Sequence, residues 1–151
     1  MSKLMVRVAL ASALLCVIST PALGGELAGL WQEYDDQTGK VEALIRIDKM
    51  GDGSYEGKIE KLFPDAVPGM PTVCTRCTGS LQDKPLLGMR ILYGMKRRDA
   101  LRFDDGEIVD PEEGKVYRCH IRLSEDGKTI EVTGYIGVKW LGQSETWRRV
   151  E

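Results

Sequence analysis

Gly29-Leu30-Trp31, near the start of the chain, and Thr146-Trp147-Arg148-Arg149, at its end, decide the fold. Everything between them reads as short strand-like segments, and such a bracket is how a closed β-barrel ties its first strand to its last. Gly29, Trp31, Trp147, Arg148 and Arg149 are therefore expected to form a structural latch.

Working inward, residues 41–47 place Val41, Ala43, Ile45 and Ile47 on one face and Glu42, Arg46 and Asp48 on the other, interrupted only by Leu44. A period of two is the mark of a half-buried strand. Gly51-Asp52-Gly53-Ser54 turns the chain into residues 55–63, where Tyr55, Gly57 and Ile59 alternate with Glu56, Lys58 and Glu60, so these segments predict a hairpin. Residues 116–123 repeat the pattern, with Tyr117, Cys119, Ile121 and Leu123 opposite Arg118, His120 and Arg122. A turn at 124–128 leads into a strand over 129–135, and 144–150 makes the last strand. The spacing predicts seven to nine strands and no amphipathic helix, hence an all-β antiparallel barrel of about eight strands; closure removes the edges along which open sheets aggregate.

The N-terminus is of another kind. Lys3 and Arg7 precede an uncharged apolar run over 8–18, and Ala22-Leu23-Gly24 supplies small residues at the two positions a signal peptidase reads. This is the pattern of a secretory signal peptide over residues 1–24, with Ala22 as the alternative cleavage point. The run is about half the ~20 residues that span a bilayer, so no stable membrane anchor is expected. Leu15 stands before Cys16 where a lipobox needs a small residue. Residues 25–151 then form one domain of a periplasmic or secreted protein. Of 21 Lys+Arg and 23 Asp+Glu, the leader takes two basic residues, leaving a net charge of −4 and no case for a nucleic-acid partner. Lys96-Arg97-Arg98 is the sole basic cluster, flanked by Asp99, Asp104 and Asp105, and reads as a solvated loop.

Residues 64–84 break the rhythm. Pro64, Pro68, Gly69, Pro71 and Gly79 make this too long and too proline-rich for a hairpin loop, and loops of such length in compact domains are usually functional or mobile. Residues 85–94, the most apolar stretch after the leader, read as a buried strand or a short helix plugging a barrel end. Cys74, Cys77 and Cys119 remain after cleavage; in an oxidising compartment one disulfide and one free thiol is the natural outcome. Cys74–Cys77 is the favoured pair, and a Cys77–Cys119 bridge would close a larger loop. Redox catalysis wants the first cysteine at a helix N-terminus, but Thr78-Gly79-Ser80 continues as loop. Zinc would have to use Cys119 and His120, which as neighbours on a strand point to opposite faces. No metal and no cofactor is expected. The single histidine, His120, reads as a solvated surface residue, and Asp110-Pro111-Glu112-Glu113-Gly114-Lys115 as a tight turn lacking the ligand alternation of a calcium loop.

Four ordered blocks carry a resemblance: residues 84–95 (Lys-Pro-Leu-Leu-Gly-Met-Arg-Ile-Leu-Tyr-Gly-Met), 106–119 (Gly-Glu-Ile-Val-Asp-Pro-Glu-Glu-Gly-Lys-Val-Tyr-Arg-Cys), Gly134-Tyr135-Ile136-Gly137 and Thr146-Trp147-Arg148-Arg149. Together they resemble domain-of-unknown-function family 2147, a group of small exported bacterial proteins, and Cys74, Cys77 and Cys119 match the cysteine pattern of one branch. The chain departs from the family at Gln143 and Ser144, where Arg-Thr is usual, and at Thr133, where arginine is common. The resemblance implies a lipocalin-like (calycin-type) barrel and no established activity. In such barrels a Gly-x-Trp on the first strand packs beneath an arginine of the last, a role for Trp31 with Arg148 or Arg149.

The expected function is binding of a small apolar or amphipathic ligand, a hydrophobic molecule or lipid, in the barrel mouth. Tyr117, Ile121, Tyr135 and Trp140 are the candidate lining residues, with 64–84 as a lid. The alternative is a filled barrel acting as an envelope protein-interaction module through an apolar loop. An enzyme is the remaining class; it would need carboxylates such as Asp110 and Glu112 to converge on a cavity.

Overall fold

The computed structural model describes residues 25–150, so the expected leader and Glu151 lie outside the described residues. Eight strands follow one another: β1 (Gly29–Tyr34), β2 (Val41–Lys49), β3 (Tyr55–Leu62), β4 (Arg90–Arg97), β5 (Arg102–Asp110), β6 (Lys115–Leu123), β7 (Thr129–Tyr135) and β8 (Gln143–Arg149). Each pairs antiparallel with the next, and β8 returns to β1, closing an up-and-down barrel. The eight-stranded antiparallel barrel is the one the strand spacing predicts, and its closed up-and-down order is the lipocalin-like arrangement that the resemblance implies. No helix among the described residues is long and apolar enough to cross a membrane.

The alternation is the reason the sheet curls around its own side chains. β2 buries Ala43, Ile45 and Ile47, β3 buries Tyr55, Gly57 and Ile59, β6 buries Cys119, Ile121 and Leu123, and β7 buries Ile130 and Val132. Closure itself is narrow: β1 meets β8 only at Trp31↔Arg149 and Gln32↔Arg148. With so few ladder positions, side chains must complete the seam.

They do so at one end of the barrel. Trp31, Trp147, Tyr55 and Phe103 are fully buried there, with the Tyr55 and Phe103 rings edge to face at 5.2 Å. Arg149 stacks over Trp31 with its guanidinium 4.2 Å from the ring centroid, while Arg148 lies over Tyr34 instead. Beneath them the segment before β1 crosses the barrel bottom. Leu27 is fully buried, and its carbonyl accepts the Trp31 indole N–H at 3.1 Å. Arg149 donates to the carbonyls of Glu26, Ala28 and Gly127. Of the two latch arginines, Arg149 is the one on Trp31.

Three segments differ from their sequence reading. Lys96-Arg97-Arg98 is not a free loop: Lys96 and Arg97 end β4, and Arg97 packs over Phe103 at 4.7 Å and bonds the Gly25 carbonyl and the Tyr55 hydroxyl. β5 escapes the period-two test because its register shifts between Phe103 and Gly106, with Asp105 at φ 63°. A Cβ on Gly106 would stand 2.1 Å from Met95 Sδ and 2.6 Å from the Tyr93 carbonyl oxygen, so the bulge needs glycine. Residues 85–94 are neither one strand nor a helix; they turn at Gly88 (φ 82°) and enter β4 at Arg90.

Candidate functional site

The end of the barrel opposite the latch is open. There a cavity of about 490 Å³ descends between the strands. Its deeper wall is apolar, formed by Ala43, Ile59, Leu86, Ile91 and Val132. On β7 the inward-facing position level with the cavity is Gly134, against which Tyr117 and Ile108 pack closely enough that a Cβ would stand 3.4 and 3.5 Å from them.

The polar wall is acidic. Trp31 faces inward on β1, so Glu33, two residues on, does too; by the same step Glu145 faces inward from Trp147 on β8. Glu42 arrives by a different route. Glu33 pairs with Ala43 and Tyr34 with Val41, leaving Glu42 as the extra residue of a β-bulge that turns it from the solvent face into the cavity. Asp110 and Glu112 at the β5–β6 turn and Asp35 and Asp36 after β1 add to the rim, and among the described residues no lysine or arginine lines the cavity.

These carboxyls perturb one another. Burial within the barrel wall holds the Glu33 carboxyl well above the usual carboxylate range, and the neighbouring Glu145, Glu42, Asp110 and Glu112 push it the same way. Burial, reinforced by Glu112, Asp35 and Glu145, pushes Glu42 up to about 7. Glu145 is also raised by burial, although its carboxylate accepts the Trp147 indole N–H at 3.2 Å, which favours the charged form. Solvent reaches Glu145 through the mouth while apolar walls surround it.

The long loop forms one side of this end. Cys74 and Cys77 are joined in a disulfide, as the sequence favours, and Cys119 is a free, buried thiol pushed up to about 12 by burial. The disulfide turn docks on the β5–β6 turn: Cys74 Sγ lies 3.5 Å from the Pro111 carbonyl oxygen, and Arg76 donates to that of Glu112 at 3.1 Å. Gly114, at φ 68°, makes this approach possible, because a Cβ would meet the Arg76 carbonyl oxygen at 1.9 Å. Met70 and Pro71 from the same loop line the cavity.

The β7–β8 connection forms another side. Ile136 and Leu141 line the cavity, yet both are largely exposed, as is Val138. Lys139 within it pairs with Asp104, which also holds His120 Nδ1 at 2.7 Å. His120 is thus half-buried and bonded on the outer face of β6 rather than solvated, and Cys119 faces the interior.

Of the four residues expected to line the mouth, Tyr117 and Tyr135 do line the cavity. Ile121 is fully buried in the packed core toward the latch end, and Trp140, 81% exposed, stands on the β7–β8 connection outside the lining. Asp110 and Glu112 both line the cavity, but the Asp110 carboxylate accepts the backbone N–H groups of Glu112 and Glu113, which makes it the brace of its turn. Period-two reading from Trp31 and Trp147 carries the signal that finds Glu33 and Glu145; nothing in the local pattern finds Glu42. Thr133 and Ser144, two of the departures from the family pattern, are direct cross-strand partners with hydroxyls 2.7 Å apart. No cluster of His, Cys, Asp and Glu that could hold a metal ion occurs among the described residues.

Residues 29–149 match the profile of a family described as "Uncharacterized protein conserved in bacteria (DUF2147)". Among solved structures, the barrel is similar to protein HP1028 from Helicobacter pylori, described as belonging to the lipocalin family, with 18% identity over 84% of each chain and a TM-score of 0.70. At that identity the likeness is one of fold. Among curated proteins, nothing matches.

Proposed function

The chain belongs to this family of uncharacterised bacterial proteins, and we propose that it is an exported binding protein which holds a small apolar or amphipathic molecule in the open end of its barrel. One observation carries the reading: a barrel packed solid at one end by Trp31, Tyr55, Phe103 and Trp147 keeps a cavity of about 490 Å³ at the other, the size and partly apolar character of a small-molecule site. A purely structural barrel of this size can fill itself with its own side chains. Here a cavity remains, lined by Gly134 and the inward glutamates among others.

Fluorescence titration of the purified protein with the neutral probe N-phenyl-1-naphthylamine tests it. Saturable enhancement at one site per chain is the expected result. A probe that stays dark across the titration removes the reading.

A second reading has its own support. Ile136, Val138, Trp140 and Leu141 are all exposed on a single connection, an apolar patch of the kind that docks a partner. Two of the four also line the cavity, so the patch serves the first reading equally well as the entrance to the site.

A further inference from the structure

Three glutamates from three different strands reach the same cavity, and no cationic side chain among the described residues lines it to offset them. Glu33 is half-buried, opens on the cavity from β1, and makes no side-chain hydrogen bond or ion pair among the described residues. Burying mutually repelling carboxyls without a counter-charge costs stability. Perturbed groups collected in a cleft together with an open cavity make a candidate functional site.

We propose that the cavity takes a small organic cation, an ammonium group on an apolar body, with the ammonium seated among Glu33, Glu42 and Glu145 and the body against Ile59, Ile91 and Val132. This rests on the ligand-binding reading above and narrows it. The same charge distribution rejects fatty acids and other amphipathic anions, whose heads would face uncompensated carboxylates. A bound cation supplies the missing counter-charge beside an apolar wall, where an ion pair is stronger than in open water.

The surroundings set the pH dependence. Glu33 comes from β1, Glu42 from β2 and Glu145 from β8; Asp35 and Asp36 face them from the β1–β2 connection, Asp110 from β5 and Glu112 from the turn after it. β3 and β4 contribute the apolar side chains Ile59, Leu62 and Ile91, and β6 and β7 contribute Tyr117 and Tyr135. Basic groups near this end are engaged elsewhere: Arg118 over Tyr135, Arg148 over Tyr34 and Arg76 on the Glu112 carbonyl. Raised carboxyls hold protons that a cation must displace, so affinity for the cation rises with pH through the range in which Glu42 ionises, centred near 7.

The test compares three probes of equal chain length, decyltrimethylammonium, decanol and decanoate, displacing N-phenyl-1-naphthylamine from the protein at about pH 8. The cation is expected to bind about tenfold or more tightly than decanol, and decanoate more weakly than either. In the E33Q/E42Q/E145Q variant the cation falls to the affinity of decanol, while decanol is unchanged. Decanoate binding as well as the cation, or a cation preference that survives in the variant or is flat with pH, overturns the proposal and leaves the binding reading standing. A cation that fails to displace the bound probe overturns the proposal, and N-phenyl-1-naphthylamine that does not bind at all removes both. Calorimetry with calcium chloride separates a metal site: calcium binding that depends on the three glutamates and excludes the ammonium probe also overturns it. Should the triple variant melt before it can be titrated, the single variant E33Q is read for the same loss of preference.

Discussion

The guanidinium of Arg149 lies 4.2 Å from the ring centroid of Trp31, and from that stack the same arginine reaches the carbonyls of Glu26, Ala28 and Gly127. One side chain thereby joins the last strand to the first, to the segment beneath the barrel and to the β6–β7 turn. The contact belongs to closure, at the end away from the cavity.

Trp31→Ala removes a fully buried indole from this seam and is expected to cost about 3–5 kcal/mol. Denaturant unfolding measures the loss. Binding of N-phenyl-1-naphthylamine under conditions where the variant stays folded should change by less than about twofold, since the lining does not include Trp31. A large change in affinity with little loss of stability contradicts the latch.

The cysteines make a second prediction. Thiol titration of a chain spanning residues 25–151 should find one reactive group after unfolding, Cys119, and almost none before, because that thiol is buried and pushed up to about 12. Opening the Cys74–Cys77 bridge with Ser at both positions should cost about 2 kcal/mol, the loop-closure value for so short a loop. Three thiols in the unfolded oxidised protein would rule the bridge out.

Stability should fall as pH rises from about 4.5 to about 7. Glu42 is raised to about 7 in the folded protein against 4.5 ordinarily, so in that interval the folded state holds a proton that the unfolded state has released. Its contribution is complete below the unfolded value and lost as pH climbs through the folded one; Glu33 and Glu145 act in the same direction. The carboxylates lowered in the folded state, such as Asp104 and Glu26, lose their contribution only on the acid side, below about 4.5, and do not oppose the trend in this window. Thermal melts of ligand-free Glu42→Gln should show a flatter profile and a higher Tm than the native chain at about pH 8. A native profile already flat across the interval contradicts the raised carboxyls.

Gly114→Val should unseat the disulfide turn, since the approach of Arg76 leaves no space for a Cβ. Limited proteolysis is expected to cut within residues 64–84 of the variant faster than in the native chain, with the barrel core intact. Equal cleavage would show that the loop does not depend on this contact.

Strand alternation made most of the barrel legible, because β2, β3 and β6 each bury one face and leave the other more open to solvent. The latch was legible from two short motifs, down to the choice between Arg148 and Arg149. What escaped did so where the backbone departs from period two. The shift between Phe103 and Gly106 hid β5, and the bulge at Glu42 moved a residue that alternation assigns to solvent into the cavity. Trp140 illustrates the opposite error: a large aromatic near the mouth invites placement in a site, but the chain there runs over the surface and leaves the ring in water. The acidic character of the site was written in Glu33 and Glu145, two residues along the same faces as Trp31 and Trp147, and needed only that parity to be followed outward.

The central claim, that the open end is a small-molecule site, is met most directly by native mass spectrometry of the protein purified under gentle conditions from a bacterial envelope, beside a Gly134→Phe variant whose ring fills the cavity from β7. A small bound mass on the native chain and its loss from the folded variant are expected. A native chain that carries no such mass, or a folded variant that retains it, would show that the open end is not such a site.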